Sequence, residues 1–212
     1  MSDARKSAYP ARAMPEAMPA LPALVLSDAL PKADAAALLT FAIASEAMFG
    51  DALTLSSHLE LHAGRHRSAR TLAQHEMHRD LMATIALRHG DALRARFGDR
   101  ILTAPVEESE LAASGDGDWF GPHRDDGAAP VAHRSFTVVV YLHRFPCRFA
   151  GGELTLHGFQ DAARQRFGPV QTIAPRHNVA TIFPSNTLHE ILPVSLSTPC
   201  FADRRFALTS WI

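Results

Sequence analysis

Phe136-Thr137-Val138-Val139-Val140-Tyr141-Leu142 is β-branched or aromatic at every position but the last. A run this short and this apolar reads as a strand buried on both faces rather than as a helix. The segments Glu153–His157, Val179–Phe183 and Arg205–Ile212 repeat the texture, separated by Gly, Pro, Asn and Asp with no further helical period. Many short strands punctuated by turns predict a jelly roll, the double-stranded β-helix barrel, or a related sandwich.

Upstream of this region the texture changes. Ser27-Asp28 and Pro31 are helix-start signals ahead of an alanine- and leucine-rich stretch to Met48, with a stop near Gly50. Leu53 and Leu55, then Leu59 and Leu61, alternate as one or two strands would. From about Ala69 to Phe97, Met77, Leu81, Ile85, Leu93 and Phe97 recur at multiples of four, which predicts an amphipathic helix broken near Gly90 and capped by Gly98. The expected class is therefore α+β, with N-terminal helices packed on the outer face of the barrel. Prolines at 10, 15, 19 and 22 amid alanines leave no apolar run for a signal or membrane span, so the N-terminus reads as a flexible arm. The expected division is an arm at 1–23, a helical support region at 24–100 and a catalytic barrel at 101–212, with 24–212 one structural domain.

The chain has 212 residues, 47% hydrophobic and 20% charged, enough for one sizeable core. Twenty-one basic residues face 22 acidic ones, a net charge of -1, so neither nucleic acid nor an anionic membrane is an expected partner. A small-molecule or peptidyl substrate is expected instead, and the oligomeric state is open. Cys147 and Cys200 cannot build a disulfide framework or a four-thiolate zinc site, and they read as packed thiols in a reducing cytoplasm. Twelve histidines beside 2 Tyr and 2 Trp direct attention to metal binding.

In an extended segment His123 and Asp125 share a face and can grip one ion together. Alone, a His-x-Asp is as readily a polar loop. His189 follows an apolar strand and a Pro-Ser-Asn turn, and alone it is as readily a turn histidine bonded to backbone. Joined, two imidazoles and one carboxylate make the facial triad of non-haem iron(II) oxygenases, which leaves three coordination positions open. Zinc is the rival by ligand type, but the His-Glu-x-x-His of helical zinc hydrolases is absent. In the last strand, parity puts Arg205, Ala207, Thr209 and Trp211 on one face and Phe206, Leu208 and Ile212 on the other. A guanidinium on the inner face of a barrel is a carboxylate socket. Tyr141, on one face with Thr137 and Val139, can reach the same carboxylate.

Together these blocks, with Gly151-Gly152-Glu153-Leu154, Phe183-Pro184-Ser185 and Pro193-Val194 in the same order, resemble the iron(II)/2-oxoglutarate-dependent oxygenases of the prolyl 4-hydroxylase-like group. The resemblance spans roughly Ile101 to Ile212. It implies that His123, Asp125 and His189 ligate the iron and that Arg205, Tyr141 and Thr209 bind the far carboxylate of 2-oxoglutarate. Gly151 and Gly152 correspond to turn glycines before a barrel strand, and Asn178 stands where such proteins often have a left-handed glycine. The implied reaction is hydroxylation of an unactivated C–H bond, most directly of a peptidyl or free proline-type amino acid, with succinate and carbon dioxide as coproducts. The implied cofactors are Fe(II), 2-oxoglutarate and O2, with room for ascorbate as a reductant. Two alternatives keep the jelly roll: a cupin-like metalloenzyme without 2-oxoglutarate, and a non-catalytic module binding a ligand or protein.

Some features depart from the family pattern. Arg205 lies sixteen positions after His189 instead of about ten, which implies an inserted loop at Ser195–Asp203 and leaves Arg204 as a competing socket residue. Position 113 is Ala where a Tyr is frequent. Specificity is expected in the loop Leu111–Trp119, in that insertion and around His58–Arg70, with His133, Arg134 and His143 near the mouth. His58, His62, His66, His75 and His78 are read as solvated surface or channel wall rather than a second metal site.

Overall fold

A computed structural model describes residues 21–55, 61–63, 67–73, 76–103, 105–106, 108–160, 166–167 and 170–212. The expected arm thus lies outside the described residues except at its end, as do His58, His66, His75 and the side chain of His62.

Two antiparallel sheets face each other. The larger runs in the order Leu24–Leu26, Val179–Pro184, Phe136–Leu142, Arg205–Trp211, Glu108–Ser114, Arg70–Ala73, Gly50–Asp51. The smaller runs Gln171–Ile173, Leu154–Leu156, His189–Ile191, Phe120–His123. This is the expected jelly roll. Strands at 24–26 and 70–73 join the larger sheet beside those of the C-terminal half, so the segment 24–100 supplies strands as well as helices.

Helix α1 (Lys32–Ala44) buries Ala35, Leu38 and Ala42, one stripe at helical spacing. Helix α2 (Glu76–Phe97) buries Leu81, Ile85 and Leu93, while the Met77 side chain lies outside the described residues. The helix kinks at His89, next to the expected break at Gly90. It ends at Gly98, whose φ of +80° is left-handed and whose N–H donates to the Arg94 carbonyl at 2.8 Å. The helix expected from Ala69 starts later, because Arg70–Ala73 pairs with Glu108–Ser114 instead. Leu53–Leu55 and Leu61–Ala63 form the two short strands expected there.

Strand parity divides the core. Val138, Val140, Leu142, Phe206 and Leu208 face outward and share one cluster with Leu38, Leu81, Ile85 and Leu93 of the helices. Val139, Tyr141, Ala207, Leu154, Leu156 and Phe183 face inward and fill the barrel. Strand Phe136–Leu142 is central and covered on both sides, the reason its sequence is continuously apolar. Asn178 takes the left-handed conformation expected of it, at φ +58°, and its side-chain amide bonds both the N–H and the carbonyl of Leu30, at 3.0 and 2.9 Å. One residue thereby stitches the entry to α1 onto the barrel.

Two loop expectations and one about the cysteines are corrected. Glu108–Ser114 is a strand, not part of a loop beginning at Leu111, with Leu111 and Ala113 in the outer core. The Ser195–Asp203 segment is not a free insertion: Val194–Leu196 pairs with Phe149–Gly151, and Phe201 packs edge-on against Phe49 and Phe206 at 5.2 and 5.4 Å. Cys147 and Cys200 are free and exposed rather than packed. Among the described residues, no helix is long and apolar enough to cross a membrane.

Candidate metal centre and cosubstrate pocket

The smaller sheet brings the triad together. His189 and His123 are direct cross-strand partners, and Asp125 lies just past the end of its strand. One ligand atom from each of His123, Asp125 and His189 lies within 4.8 Å of the others, the spread a single ion can span. Asp125 Oδ1 is 3.4 Å from His123 Nε2, and Oδ2 is 3.6 Å from His189 Nε2. Each imidazole is oriented from behind: His123 Nδ1 is 2.8 Å from the Gly121 carbonyl and His189 Nδ1 is 2.9 Å from that of Thr187. Donation to those carbonyls fixes Nε2 as the bare nitrogen turned inward, the arrangement a metal ligand needs.

The charge states suit a cation. Burial alone would raise the Asp125 carboxyl, but charge on His189, the His123 contact and the Thr137 hydroxyl outweigh it and hold the group well below the usual carboxylate range. Burial, with the charge of His123, pushes His189 down to about 4. At neutral pH Asp125 is therefore an anion and His189 a neutral donor.

Across the barrel stands Arg205, 2% exposed. Its Nε and Nη2 have no hydrogen-bond partner, nor does the fully buried Tyr141 hydroxyl, and the guanidinium carbon lies 5.1 Å from the Tyr141 ring centre. Burial lowers the Arg205 pKa, opposed by Tyr141, yet a guanidinium remains protonated. Burial likewise raises the Tyr141 phenol, against the pull of Arg205 and of the Thr181 hydroxyl beside it, so it stays neutral. Unsatisfied buried donors are costly, and a buried guanidinium with free nitrogens on a cavity wall marks a place for an anionic guest. A carboxylate answers both. Arg204, the rival, points away, with its Nη1 3.3 Å from the Ala113 carbonyl and 3.9 Å from Asp118.

Arg205, Thr209, His123, Asp125 and His189 line one inner cavity of about 60 Å³. It adjoins an outer groove of about 530 Å³, and Arg67, Glu110, Phe120 and Trp211 line both, as do His123 and Asp125, so two of the triad residues face the groove. Arg67 pairs with Glu110 at 2.5 Å and lies over the Phe120 ring at 5.0 Å, and Phe120 in turn stacks on His123 at 3.6 Å and 14°. Arg134 pairs with Glu108 and sits 4.1 Å over Trp211, in the outer groove where the sequence placed it. His143 is elsewhere: it follows the far end of Phe136–Leu142 and packs on His177. His78 is buried, not solvated, with Nδ1 2.9 Å from Ser109 Oγ. Position 113 faces the outer core, so Ala112 is the residue that lines the cavity. An apolar cavity of about 520 Å³ lies beneath α2 on the opposite side of the larger sheet, and among the described residues its lining carries no titratable side chain.

Sequence reasoning missed Gly152, Thr137, Ser185, Phe120 and the Arg67–Glu110 pair as parts of the site. Gly152 has φ +70°, and a Cβ there would stand 2.6 Å from Arg205 Cδ, so this glycine makes the room in which Arg205 lies. Thr137 was readable from parity alone, since it shares the inner face with Tyr141.

Comparison with known proteins agrees with this geometry. A family model described as the 2OG-Fe(II) oxygenase superfamily matches residues 109–212. An uncharacterized PKHD-type hydroxylase of Synechocystis sp. is 34% identical over 107 residues, 50% of this chain and 35% of the relative, so the match covers about a third of that protein's length. Among solved structures, a Pseudomonas putida prolyl-4-hydroxylase superposes with a TM-score of 0.60 at 20% identity, covering 91% of this chain and 92% of the other. A Trichoplax adhaerens prolyl hydroxylase, in complex with a hypoxia inducible factor peptide fragment, gives 0.56 at 18%, covering 91% and 83%. The non-haem alpha-ketoglutarate-dependent epimerase SnoN from nogalamycin biosynthesis gives 0.58 at 18%, covering 89% and 77%. At these identities the structural likeness establishes the fold.

Proposed function

We infer that this chain, whose residues 109–212 match the 2OG-Fe(II) oxygenase superfamily model, is an Fe(II)- and 2-oxoglutarate-dependent dioxygenase that hydroxylates an unactivated C–H bond. His123, Asp125 and His189 are the residues that hold the iron, and Arg205, Tyr141 and Thr209 those that hold the far carboxylate of 2-oxoglutarate. The observation that carries the reading is the buried Arg205, with two unpartnered guanidinium nitrogens, lining one inner cavity with the triad and Thr209. A cupin-like metalloenzyme has no use for that guanidinium.

The bound iron, cosubstrate and dioxygen would supply the oxidising chemistry, with succinate and carbon dioxide as coproducts. The chain's own work is orientation and exclusion. Arg205 and Tyr141 anchor one end of the dicarboxylate by a charge-assisted fork and a phenolic donor, which fixes its length along the barrel toward the triad. Asp125 contributes the negative charge that offsets a divalent cation, and His189 contributes a neutral lone pair. Phe120, Trp211 and the Arg67–Glu110 pair narrow the way from the groove to Arg205, and a substrate seated in the groove would exclude water from His123 and Asp125, which line it.

The substrate belongs in the outer groove. A peptidyl or free proline-type amino acid is the favoured class, supported by the prolyl hydroxylases and the hydroxylase named among the similar proteins. The test is succinate release from 2-oxoglutarate with proline-containing peptides and with free proline, in wild type and His123→Ala. Substrate-stimulated succinate that disappears in His123→Ala together with bound iron is the expected result. Stimulation that persists in the metal-free variant would refute the assignment.

A further inference from the structure

This inference rests on the metal centre proposed above and concerns how Asp125 is presented to it. Asp125 lies beyond the end of its strand, where nothing in the sheet ladder fixes its side chain. Its backbone is tied instead: its N–H donates to the Ser185 carbonyl at 2.9 Å, and its carbonyl accepts from Arg134 Nη1 at 3.2 Å. Its carboxylate accepts a hydrogen bond from Thr137 Oγ1 to Oδ2 at 2.6 Å, and Ser185 Oγ lies 3.0 Å from Thr137 Oγ1. A threonine hydroxyl has one proton, and that proton is committed to the carboxylate. The Thr137–Ser185 bond therefore has a single allowed direction, with Ser185 as donor.

Both hydroxyls are sealed in the core, Thr137 at 1% exposure and Ser185 at 0%, so no solvent competes for them. Their backbones are fixed as well. Thr137 is the ladder partner of Phe183, and the Ser185 N–H donates to the Ser135 carbonyl at 3.1 Å. Thr137 thus engages one oxygen of the carboxylate with Ser185 behind it, and among the described residues no hydroxyl bonds Oδ1.

We propose that Thr137 and Ser185 are positioning residues, a buried hydroxyl relay that engages Oδ2 of Asp125 and so presents Oδ1 as the single oxygen offered to the metal. A carboxylate free to turn can give a metal one oxygen or two, and a second would occupy a position that the facial triad leaves open. A short bond from a hydroxyl to an ionised carboxylate is among the stronger hydrogen bonds, and the donation from Ser185 polarises it further.

The test uses the full-length apo protein and Co(II), whose visible bands report coordination number as well as binding. Wild type is expected to bind one Co(II). Thr137→Val, close in shape but without the hydroxyl, should weaken Co(II) about 10–100-fold and change the band pattern as a second oxygen joins. Thr137→Ser should restore wild-type affinity and bands, and Ser185→Ala should fall between the two. Apo melting temperatures identify any variant that has lost its fold, in which case Ser185→Ala carries the test. Wild-type affinity and bands in Thr137→Val, or in Ser185→Ala if the valine variant does not fold, would overturn the relay, as would a Thr137→Ser variant as impaired as the valine. Wild type that binds no Co(II) would overturn the metal centre itself, and the relay with it.

Discussion

Arg205 illustrates how a single residue can weaken a fold and serve a site. Buried to 2% exposure with two nitrogens unpartnered, it is a desolvated charge that Tyr141 and Glu153 offset only in part until an anion arrives. Arg205→Met should therefore leave the apo melting temperature unchanged or raise it, while weakening 2-oxoglutarate binding at least about 30-fold. Calorimetric titration and thermal melts on the same preparation check both halves. A variant that melts well below wild type yet still binds would mean that Arg205 is structural. Gly152 is the companion residue. Gly152→Ala places a Cβ 2.6 Å from Arg205 Cδ at a left-handed φ of +70°, and should cost about 1–3 kcal/mol in urea denaturation together with 2-oxoglutarate affinity. The role of Arg205 was legible because parity from Phe206, Leu208 and Ile212 placed it inward. Gly152 was legible only as a turn residue, since the clash it avoids is with a side chain fifty-three positions away.

The strand Phe136–Leu142 ends beside the turn that precedes Val179–Pro184, and two histidines join there. The His143 N–H donates to His177 Nδ1 at 3.2 Å, and the His177 N–H donates to His143 Nε2 at 3.1 Å. Each ring must stay unprotonated at the accepting nitrogen for both bonds to persist. Burial, with the charge of His143, lowers His177 below its ordinary 6.5. The unfolded chain then takes up its proton first, so the His177 contribution to stability is constant above about pH 6.5 and falls as the pH drops through that value toward the folded pKa. Melting temperatures between pH 7.5 and 5.5 should decline less steeply in His177→Asn, which keeps an acceptor but does not titrate. Parallel curves would remove this pair from the account. At this scale the central strands were legible and the edges were not. Phe136–Leu142, Val179–Pro184 and Arg205–Trp211 carry bulky residues on both faces, so the texture is unmistakable. Glu108–Ser114 spells its outer face with Ser109, Leu111 and Ala113 and its inner face with Glu108, Glu110 and Ala112, a pattern too small and too polar to stand out. Arg70–Ala73 was absorbed into the helix it precedes because nothing local separates them.

In the whole molecule the helices are not an accessory to the barrel. Leu38, Leu81, Ile85 and Leu93 share one cluster with Val138, Val140, Leu142, Phe206 and Leu208, and strands 24–26 and 70–73 complete the larger sheet. We therefore propose that 24–212 folds as one unit. A fragment of residues 101–212 should show no cooperative urea transition, whereas the chain from residue 24 should show a single one. A cooperative fragment would contradict that unity. The triad was legible because its three residues are chemically distinctive and the order of the surrounding blocks is specific. Ser185, Phe120 and the Arg67–Glu110 pair were not, because each is an ordinary residue until the fold brings it against another, and Thr137 could be read as inward-facing but not as a partner of Asp125.

The account stands on one claim, that the triad and the Arg205 socket together hold a metal and a 2-oxo dicarboxylate. Anaerobic titration of the apo protein with iron(II) and then 2-oxoglutarate tests it most directly, read by the weak visible metal-to-ligand charge-transfer band. The account predicts a band in wild type that requires far more 2-oxoglutarate in Arg205→Ala and is absent from His123→Ala. Bound iron with no band in wild type at any 2-oxoglutarate concentration would contradict it, and would move the protein to the cupin-like or non-catalytic jelly rolls.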